Sequence, residues 1–282
     1  MSEELRIDIK SMTLPELTAL MKDWGEPGFR AGQLFSWLHE KRVRDWSEMT
    51  NLSAALRQKL AERCTLTQLT VLHRLVSSID GTQKYLYRLA DGNCIETVLM
   101  KYKHGNSLCI STQVGCRMGC NFCASTLGGL VRHLTPSEML EQVYETVRQS
   151  GERVDSLVLM GIGEPLDNYD NVIRFLRLLT DPKGYNLGQR HISLSTCGLV
   201  DRIYDLAKED LGITLSISLH APDNETRNKT MPVNRRWPVE QLMQACRDYF
   251  RTTGRRISFE YALIKGVNDS LADAQKLAKL LD

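Results

Sequence analysis

Between residues 1 and 66 apolar side chains recur every three or four positions, the period of a helix that buries one face. Leu14-Pro-Glu-Leu-Thr-Ala-Leu-Met21 carries such a stripe, and Thr13 ahead of Pro15 predicts its N-cap. Gly25-Glu-Pro-Gly28 reads as a turn. Phe29 to Lys41 then places Leu34, Phe35, Trp37 and Leu38 on a second amphipathic face, and Asn51 to Arg63 forms a third. Trp37 and Trp46 are expected in the core. From Thr65 to Tyr102 the period shortens to alternating runs broken at Asp80-Gly81 and Asp91-Gly92, which predicts a small β-meander.

Beyond Gly105 strand-like and helix-like stretches alternate. Ser107 to Thr112 is an apolar-rich strand. Thr135-Pro-Ser-Glu138 has the form of a capping box with Pro at the first helical position, opening a helix that runs to Gly151. Strand Ser156 to Met160 meets Gly161-Ile-Gly163-Glu164-Pro165, followed by a helix from Asn171 to Leu179. Strand His191 to Thr196 precedes helix Val200 to Lys208, and strand Ile213 to Leu219 ends in His220-Ala-Pro222 and a polar loop. Pro238 to Thr252 is a helix with Leu242, Ala245, Cys246 and Phe250 inward. Strand Ile257 to Ile264 and an amphipathic helix, Leu271 to Leu281, follow. Strands alternating with helices predict parallel βαβ units, and ligands in such α/β folds gather at the carboxyl ends of the strands. The expected organisation is a helical segment 1–66, a β-meander linker 67–104 and an α/β core 105–282.

A chain of 282 residues suits about two domains and buries enough surface to fold without disulfide staples. With 42% hydrophobic and 25% charged residues it is not collagen-like, disordered or coiled-coil. No stretch approaches the ~20 apolar residues that span a bilayer. The start, Met-Ser-Glu-Glu-Leu-Arg, lacks the apolar region of a secretory signal. A soluble, cytoplasmic protein with no membrane partner is expected. Lys and Arg number 36 against 34 Asp and Glu, a net charge of +2 that argues against holding nucleic acid by overall charge but permits local basic patches.

The cysteines carry more information. Cys109, Cys116, Cys120 and Cys123, four of the eight, fall in one fifteen-residue window. The last three have the spacing C-x3-C-x2-C on a loop broken by Gly115 and Gly119, which lets a short loop wrap thiolates around one centre, iron–sulfur or zinc. A closed zinc site needs a fourth ligand, and no C-x2-C or His pair follows. Three thiolates on a [4Fe–4S] cluster leave one iron open. Downstream, Gly161-x-Gly163-Glu164 closes a strand, where glycines admit a ligand to the backbone and a carboxylate can accept from an ammonium. Ser195 and Ser218 close two later strands as hydrogen-bonding candidates or as helix caps. His220 reads equally as a ligand contact or a satisfied turn residue, and Arg117 as a brace of the loop.

The C-x3-C-x-Phe122-Cys pattern resembles the signature of radical S-adenosylmethionine (SAM) enzymes. That resemblance implies a [4Fe–4S] cluster on Cys116, Cys120 and Cys123 whose open iron chelates SAM, and cleavage of SAM to a 5′-deoxyadenosyl radical. It implies a partial parallel (β/α) barrel with six strands, of which five are read here, and SAM contacts at Gly163, Glu164, Ser195, Ser218, Leu219 and His220. A narrower resemblance, to the RlmN/Cfr-type RNA adenine methyltransferases, rests on Gly28-Phe-Arg-Ala-Gly-Gln-Leu, Cys94-Ile-Glu96-Thr-Val-Leu-Met, Cys109-Ile-Ser-Thr-Gln-Val-Gly-Cys116-Arg-Met-Gly-Cys120, Met160-Gly-Ile-Gly-Glu-Pro-Leu166, Ser195-Thr-Cys-Gly, Ser218-Leu-His-Ala-Pro and Met231-Pro-Val-Asn. The branch that makes 2-methyladenosine in 23S ribosomal RNA and transfer RNA is the nearer of the two; the other acts at C8.

C2 of adenine is electron-poor and carries no acidic proton, so direct transfer from SAM fails. The family methylates a cysteine first, and a radical on that methyl group adds to C2. By position, the resemblance assigns Cys109 as the cysteine that resolves the adduct as a disulfide and Glu96 as the proton acceptor. It further implies an RNA-binding role for residues 1–66, RNA as partner and an electron donor such as flavodoxin. Arg227, Lys229, Arg235 and Arg236, with Lys41, Arg42 and Arg44, are candidate phosphate contacts, and the adenine must leave its stack.

The family's methyl-carrying cysteine follows a sixth strand, whereas the present sequence ends at Asp282 in the helix after the fifth. The expectation is that residues 1–282 assemble the cluster and bind SAM weakly without methylating RNA, and that the edge left by a missing strand promotes aggregation. The competing readings are another radical SAM enzyme, an activase or maturase, and a non-catalytic iron–sulfur or zinc RNA-binding module.

Overall fold

The computed structural model describes residues 6–282; the charged start on which the absence of a secretory signal was read lies, up to Leu5, outside the described residues. The chain divides into two compact units. One holds the described residues up to Asn106 together with Leu134–Asp155 and Asp170–Gly188; the other holds Ser107–His133, Ser156–Tyr169 and Gln189–Asp282.

In the first unit the short strand β1 (Ile7–Asp8) pairs in parallel with β2 (Cys64–Thr65). Helices α1 (Leu14–Asp23), α2 (Phe29–Phe35) and α3 (Ala54–Arg63) lie between them in the chain. Thr13 begins α1 as its sequence predicts: the Glu16 carboxylate accepts from Thr13 N–H at 2.7 Å and from its hydroxyl at 2.9 Å. Leu17, Met21, Leu34, Phe35, Leu38, Leu56 and Leu60 are buried. Trp37 and Trp46 are not core residues but half-buried. Trp37 keeps its ring edge near water because its indole N–H donates to Asn51 at 2.5 Å and the Lys41 ammonium lies 3.6 Å above its face. Strands β3 (Thr70–Val76), β4 (Gln83–Arg88) and β5 (Cys94–Tyr102) form the antiparallel meander. Helices α4 (Pro136–Ser150) and α5 (Tyr169–Thr180) complete the unit. On α4 Thr135 and Glu138 form the predicted box, with Thr135 N–H to Glu138 Oε2 at 2.9 Å. The fully buried Lys10 and Glu141 pair at 2.5 Å, and Arg148 takes the second carboxylate oxygen.

The second unit is a parallel α/β core. Strands β6 (Gly105–Cys109), β7 (Gln113–Gly115), β8 (Leu130–His133), β9 (Ser156–Leu159), β10 (Ile192–Thr196), β11 (Thr214–Ser218) and β12 (Ile257–Glu260) alternate with α6 (Val200–Leu206), α7 (Asn224–Thr230), α8 (Val239–Thr253) and α9 (Leu271–Leu281). The parallel strands are ordered β6-β9-β10-β11-β12, and β7 pairs with β8 as an antiparallel hairpin. Leu157, Leu159, Ile192, Leu194, Leu215 and Ile217 are buried on one face of the sheet and alternate with Ser193, Ser195, Ser216 and Ser218 on the other. The register sets Cys109 opposite Val158 and Ser218 opposite Glu260, so the carboxyl ends finish near one level.

Four details depart from the sequence reading. The polar loop after β11 contains α7, because Asp223 caps it by accepting from Thr226 N–H at 2.9 Å. On α8 the inward stripe is Leu242, Ala245, Cys246 and Tyr249; Tyr249 is 1% exposed and Phe250 is 56% exposed. The stripe follows i, i+3, i+4 and i+7, and Phe250 lies one residue beyond it. Strand β12 stops at Glu260, because Asn268 binds back to Ala262 O and to Ile264 N–H, at 2.8 and 2.7 Å, and curls the chain. The β7–β8 hairpin was not read at all. Among the described residues no helix is long and apolar enough to cross a membrane.

Candidate cluster and cofactor site

The β7–β8 hairpin clamps both ends of the cysteine loop. Cys116 N–H donates to Gly129 O at 3.0 Å, and Gly115 sits at φ +73°, where an added Cβ would run into that same carbonyl. The loop is also tied to α7: Asn121 N–H donates to Thr230 O at 3.0 Å and its carboxamide to Lys229 O at 2.5 Å. Arg117 grips Asp167 with Nε at 3.0 Å and Nη2 at 2.5 Å, and Gln113 donates to the same carboxylate at 2.8 Å. Arg117 is thus a brace.

The thiols of Cys116, Cys120 and Cys123 line one pocket, together with Gly161, Gly163, Glu164, Ser195, Ser218 and His220 from the carboxyl ends of the parallel strands. Burial, then the charges of its neighbouring thiolates, push Cys120 up to about 12; burial raises Cys116 as well, with the charges of Glu164 and then Cys123 adding to it. Among the described residues no three His, Cys, Asp or Glu side chains gather around a single ion position. Three thiol-bearing residues lining one pocket are the donor set of a polynuclear iron–sulfur group with one open iron.

Gly163 has φ +109°, and a Cβ there would meet Gln113 Cβ at 2.6 Å. Glycine is thus required where the β9 turn passes the β7 strand. Glu164 is almost fully buried, which raises its pKa against the pull of its hydrogen bonds. Its oxygens accept from Cys197 N–H at 2.8 Å and Leu166 N–H at 3.0 Å. Ser195 and Ser218 bring their hydroxyls to 3.3 Å of each other. The Leu219 side chain is buried and does not line the pocket; its N–H donates to Glu260 O and its carbonyl accepts from Arg227. His220 adopts φ +53°, accepts on Nδ1 from Ala262 N–H at 3.0 Å and meets the Phe122 ring edge-on at 5.2 Å. Burial lowers its pKa, so the ring is neutral with its proton on Nε2.

Cys109 ends β6, half-buried, with Met160 N–H donating to its sulfur, and burial pushes its pKa up to about 11. Met160 lines the pocket; Cys109 does not. All eight cysteines, Cys109 among them, are free thiols in this structure, so none is held in a disulfide. Glu96 stands on β5 in the other unit, half-exposed, 2.8 Å from Lys84 Nζ.

Arg227 is no phosphate contact. It is fully buried and donates to Cys197 O at 2.6 Å, Leu219 O at 3.1 Å, Ser218 O at 3.2 Å and Asn234 Oδ1 at 3.1 Å. Its guanidinium ties the ends of β10 and β11 to α7 and the turn after it, so its charge never meets solvent. Lys229 pairs with Glu225, Arg236 reaches Asp201 at 3.5 Å, and Arg235 is exposed. Among the first unit's candidates, Lys41 covers Trp37, Arg42 lies over Tyr185 and Arg44 reaches Glu145 at 3.6 Å. Glu260, which sequence reasoning missed, also lines the pocket; its position at a strand end was the available signal.

Two family models match the sequence: the Radical SAM superfamily over residues 110–280 and the Ribosomal RNA large subunit methyltransferase N-terminal domain over residues 7–66. A protein of Lachnoclostridium phytofermentans named "Probable dual-specificity RNA methyltransferase RlmN" is 55% identical over 276 residues, covering 98% of this chain and 78% of its own length. One of the same name from Bacillus cytotoxicus is 51% identical over 282 residues, 99% of this chain and 78% of the relative. A crystal structure of a radical SAM methyltransferase from Sphaerobacter thermophilus superposes with a TM-score of 0.92 at 44% identity, covering 98% of this chain and 82% of that one. Matches of this extent set aside the activase, maturase and non-catalytic-module readings. The cysteine loop, the parallel core that carries it and the N-terminal segment all fall within these matches, and the chain belongs to the RlmN family of radical SAM methyltransferases.

Proposed function

We propose that this chain methylates C2 of an adenine in 23S ribosomal RNA and transfer RNA, with a [4Fe–4S] cluster and SAM as cofactors and a cysteine of the protein as the methyl carrier. The observation that carries the reading is the convergence of the Cys116, Cys120 and Cys123 thiols on the pocket lined by Gly163, Glu164, Ser195, Ser218 and His220. RNA as substrate is supported by the relatives' names and by the N-terminal family model.

When bound, the cluster supplies the electron that cleaves SAM. Cys116, Cys120 and Cys123 hold it. Gly161 and Gly163 open the backbone to the cofactor's amino-acid end, and Glu164, held by two backbone N–H groups, offers its remaining lone pairs to the ammonium. Ser195 and Ser218 donate or accept at the sugar, the Leu219 backbone shapes that wall, and the neutral His220 donates from Nε2 at the adenosine end. Cys109 is the resolving thiol: its pKa of about 11 keeps it protonated until a base takes the proton, which guards it against premature reaction. Glu96 is the proton acceptor, a role that rests on the family resemblance. Residues 1–66 form the RNA-binding accessory domain, 67–104 the linker and 105–282 the catalytic core; Lys41, Arg235 and Arg236 are the phosphate contacts. The setting is cytoplasmic, with an electron donor such as flavodoxin.

The test is anaerobic reconstitution with iron and sulfide, then incubation with SAM, reductant and RNA. The reading predicts release of 5′-deoxyadenosine and, where a methyl group is transferred, 2-methyladenosine in the nucleoside digest. 8-Methyladenosine would move the reaction to the other carbon, and absence of 5′-deoxyadenosine would overturn the reading.

A further inference from the structure

Arg227 on α7 is fully buried, yet among the described residues no carboxylate pairs with it. It donates only to the carbonyls of Cys197, Ser218 and Leu219 and to Asn234 Oδ1. These oxygens carry partial charges, whereas a guanidinium taken out of water is costly unless a full negative charge compensates it. Glu164 holds the N–H of Cys197 at 2.8 Å while Arg227 holds its carbonyl, so a residue's backbone separates the two ions. The charge has no direct counter-ion.

It faces the cysteine loop. Three residues along α7, Thr230 O takes the N–H of Asn121, which lies between Cys120 and Cys123. Burial lowers the pKa of the guanidinium, and the thiols of Cys197, Cys120 and Cys246 raise it. At Cys120 burial, the neighbouring thiolates and Glu164 raise the pKa, and Arg227 alone lowers it. At His220 burial lowers the pKa and Arg227 lowers it further. Cys120 and His220 both line the pocket, so the field of the guanidinium enters it. Three thiolates on a four-iron core carry a net negative charge, which one more electron increases. A positive charge buried beside them favours the reduced form, and burial limits its screening by water and salt.

We propose that Arg227 is a positioning residue for electron entry: acting through Cys120, its buried charge raises the reduction potential of the cluster and is balanced by the cluster's own negative charge. The cluster gains one electron from a low-potential one-electron donor, and no bond forms or breaks. This rests on Cys116, Cys120 and Cys123 holding a four-iron cluster.

The test is a dithionite titration, read by electron paramagnetic resonance, of anaerobically reconstituted wild-type protein, Arg227→Lys, Arg227→Met and Asn234→Asp. Arg227→Met removes the charge and should shift the reduction equilibrium about tenfold toward the oxidised form, a fall of about 59 mV for a one-electron couple. Arg227→Lys keeps the charge and should stay near the wild-type potential, although it loses part of the hydrogen-bond set and the stability that goes with it. The isosteric Asn234→Asp keeps the guanidinium but sets a carboxylate against it, so it should lower the potential as the methionine does; it decides the question if Arg227→Met does not load its cluster. A potential that stays at the wild-type value in the neutralised variants, or that falls as far in Arg227→Lys as in Arg227→Met, shows a purely structural arginine and overturns the proposal while leaving the cluster reading intact. A wild-type protein that takes up no four-iron cluster overturns that reading, and this inference with it.

Discussion

Replacing Arg227 by methionine keeps the volume and the apolar stem and removes a buried guanidinium that serves Cys197 O, Leu219 O, Ser218 O and Asn234 Oδ1. Each orphaned buried acceptor costs roughly 1–3 kcal/mol. The low end is appropriate here, because all four are carbonyl oxygens with a second lone pair and the removed charge was itself costly to bury. Four acceptors then give a loss of ~4 kcal/mol. That is a large part of the ~5–15 kcal/mol that holds a typical protein folded, and it lowers Tm by roughly 8–16 °C. Arg227→Lys keeps the charge but presents one compact ammonium to acceptors that a planar fork was reaching, so it recovers only part of the loss. Urea titration followed by circular dichroism reads both variants. A loss below about 1 kcal/mol, with weaker RNA binding and a shallower salt dependence, would refute the structural role and restore Arg227 as a phosphate contact.

Acid should destabilise the first unit through His39, which is fully buried, bonds Tyr144 at 3.0 Å and has no partner for Nε2 among the described residues. Burial lowers its pKa from 6.5 to about 3. The folded value lies below the unfolded one, so the unfolded chain binds more protons between them. Stability is full above pH 6.5 and falls as pH drops toward 3 by up to ~1.4 kcal/mol per unit; His39→Gln should flatten that slope in pH-dependent urea melts, and an unchanged slope contradicts the assignment. Gly163→Ala should cost ~1–3 kcal/mol from its positive φ and its clash with Gln113, and weaken S-adenosylhomocysteine binding; unchanged stability and affinity would remove the glycine's role. Tyr249→Ala should lose ~3–5 kcal/mol as a large buried deletion, whereas the adjacent Phe250→Ala stays within about 0.5 kcal/mol. Equal losses in denaturation would show that α8 buries the other face.

Short-range chemistry made much of the molecule legible. Thr13 and Thr135 announce their helices because a capping box needs only residues three apart. The cysteine loop is legible for the same reason, since its spacing is the ligand geometry. What depends on distant partners was hidden. Arg227 sits in a polar run with Lys229 and Arg235 and resembles solvated surface; only the fold brings the carbonyls of Cys197, Ser218 and Leu219 around it. Helix α7 has no apolar stripe, and its support comes from the Asp223 cap and the anchored Arg227. Strands β7 and β8 are too short to show a period. Glu260 gains its meaning from strand register, which sets it opposite Ser218.

The account turns on three thiols sharing one iron–sulfur group. Iron and sulfide content, with the visible and electron paramagnetic resonance spectra, should be measured on anaerobically reconstituted wild-type protein and on Cys116→Ala, Cys120→Ala and Cys123→Ala. The wild-type chain should hold a four-iron cluster with a broad brown absorbance, and each single substitution should abolish it. A colourless protein loaded with zinc, or a cluster that survives all three substitutions, would contradict the account.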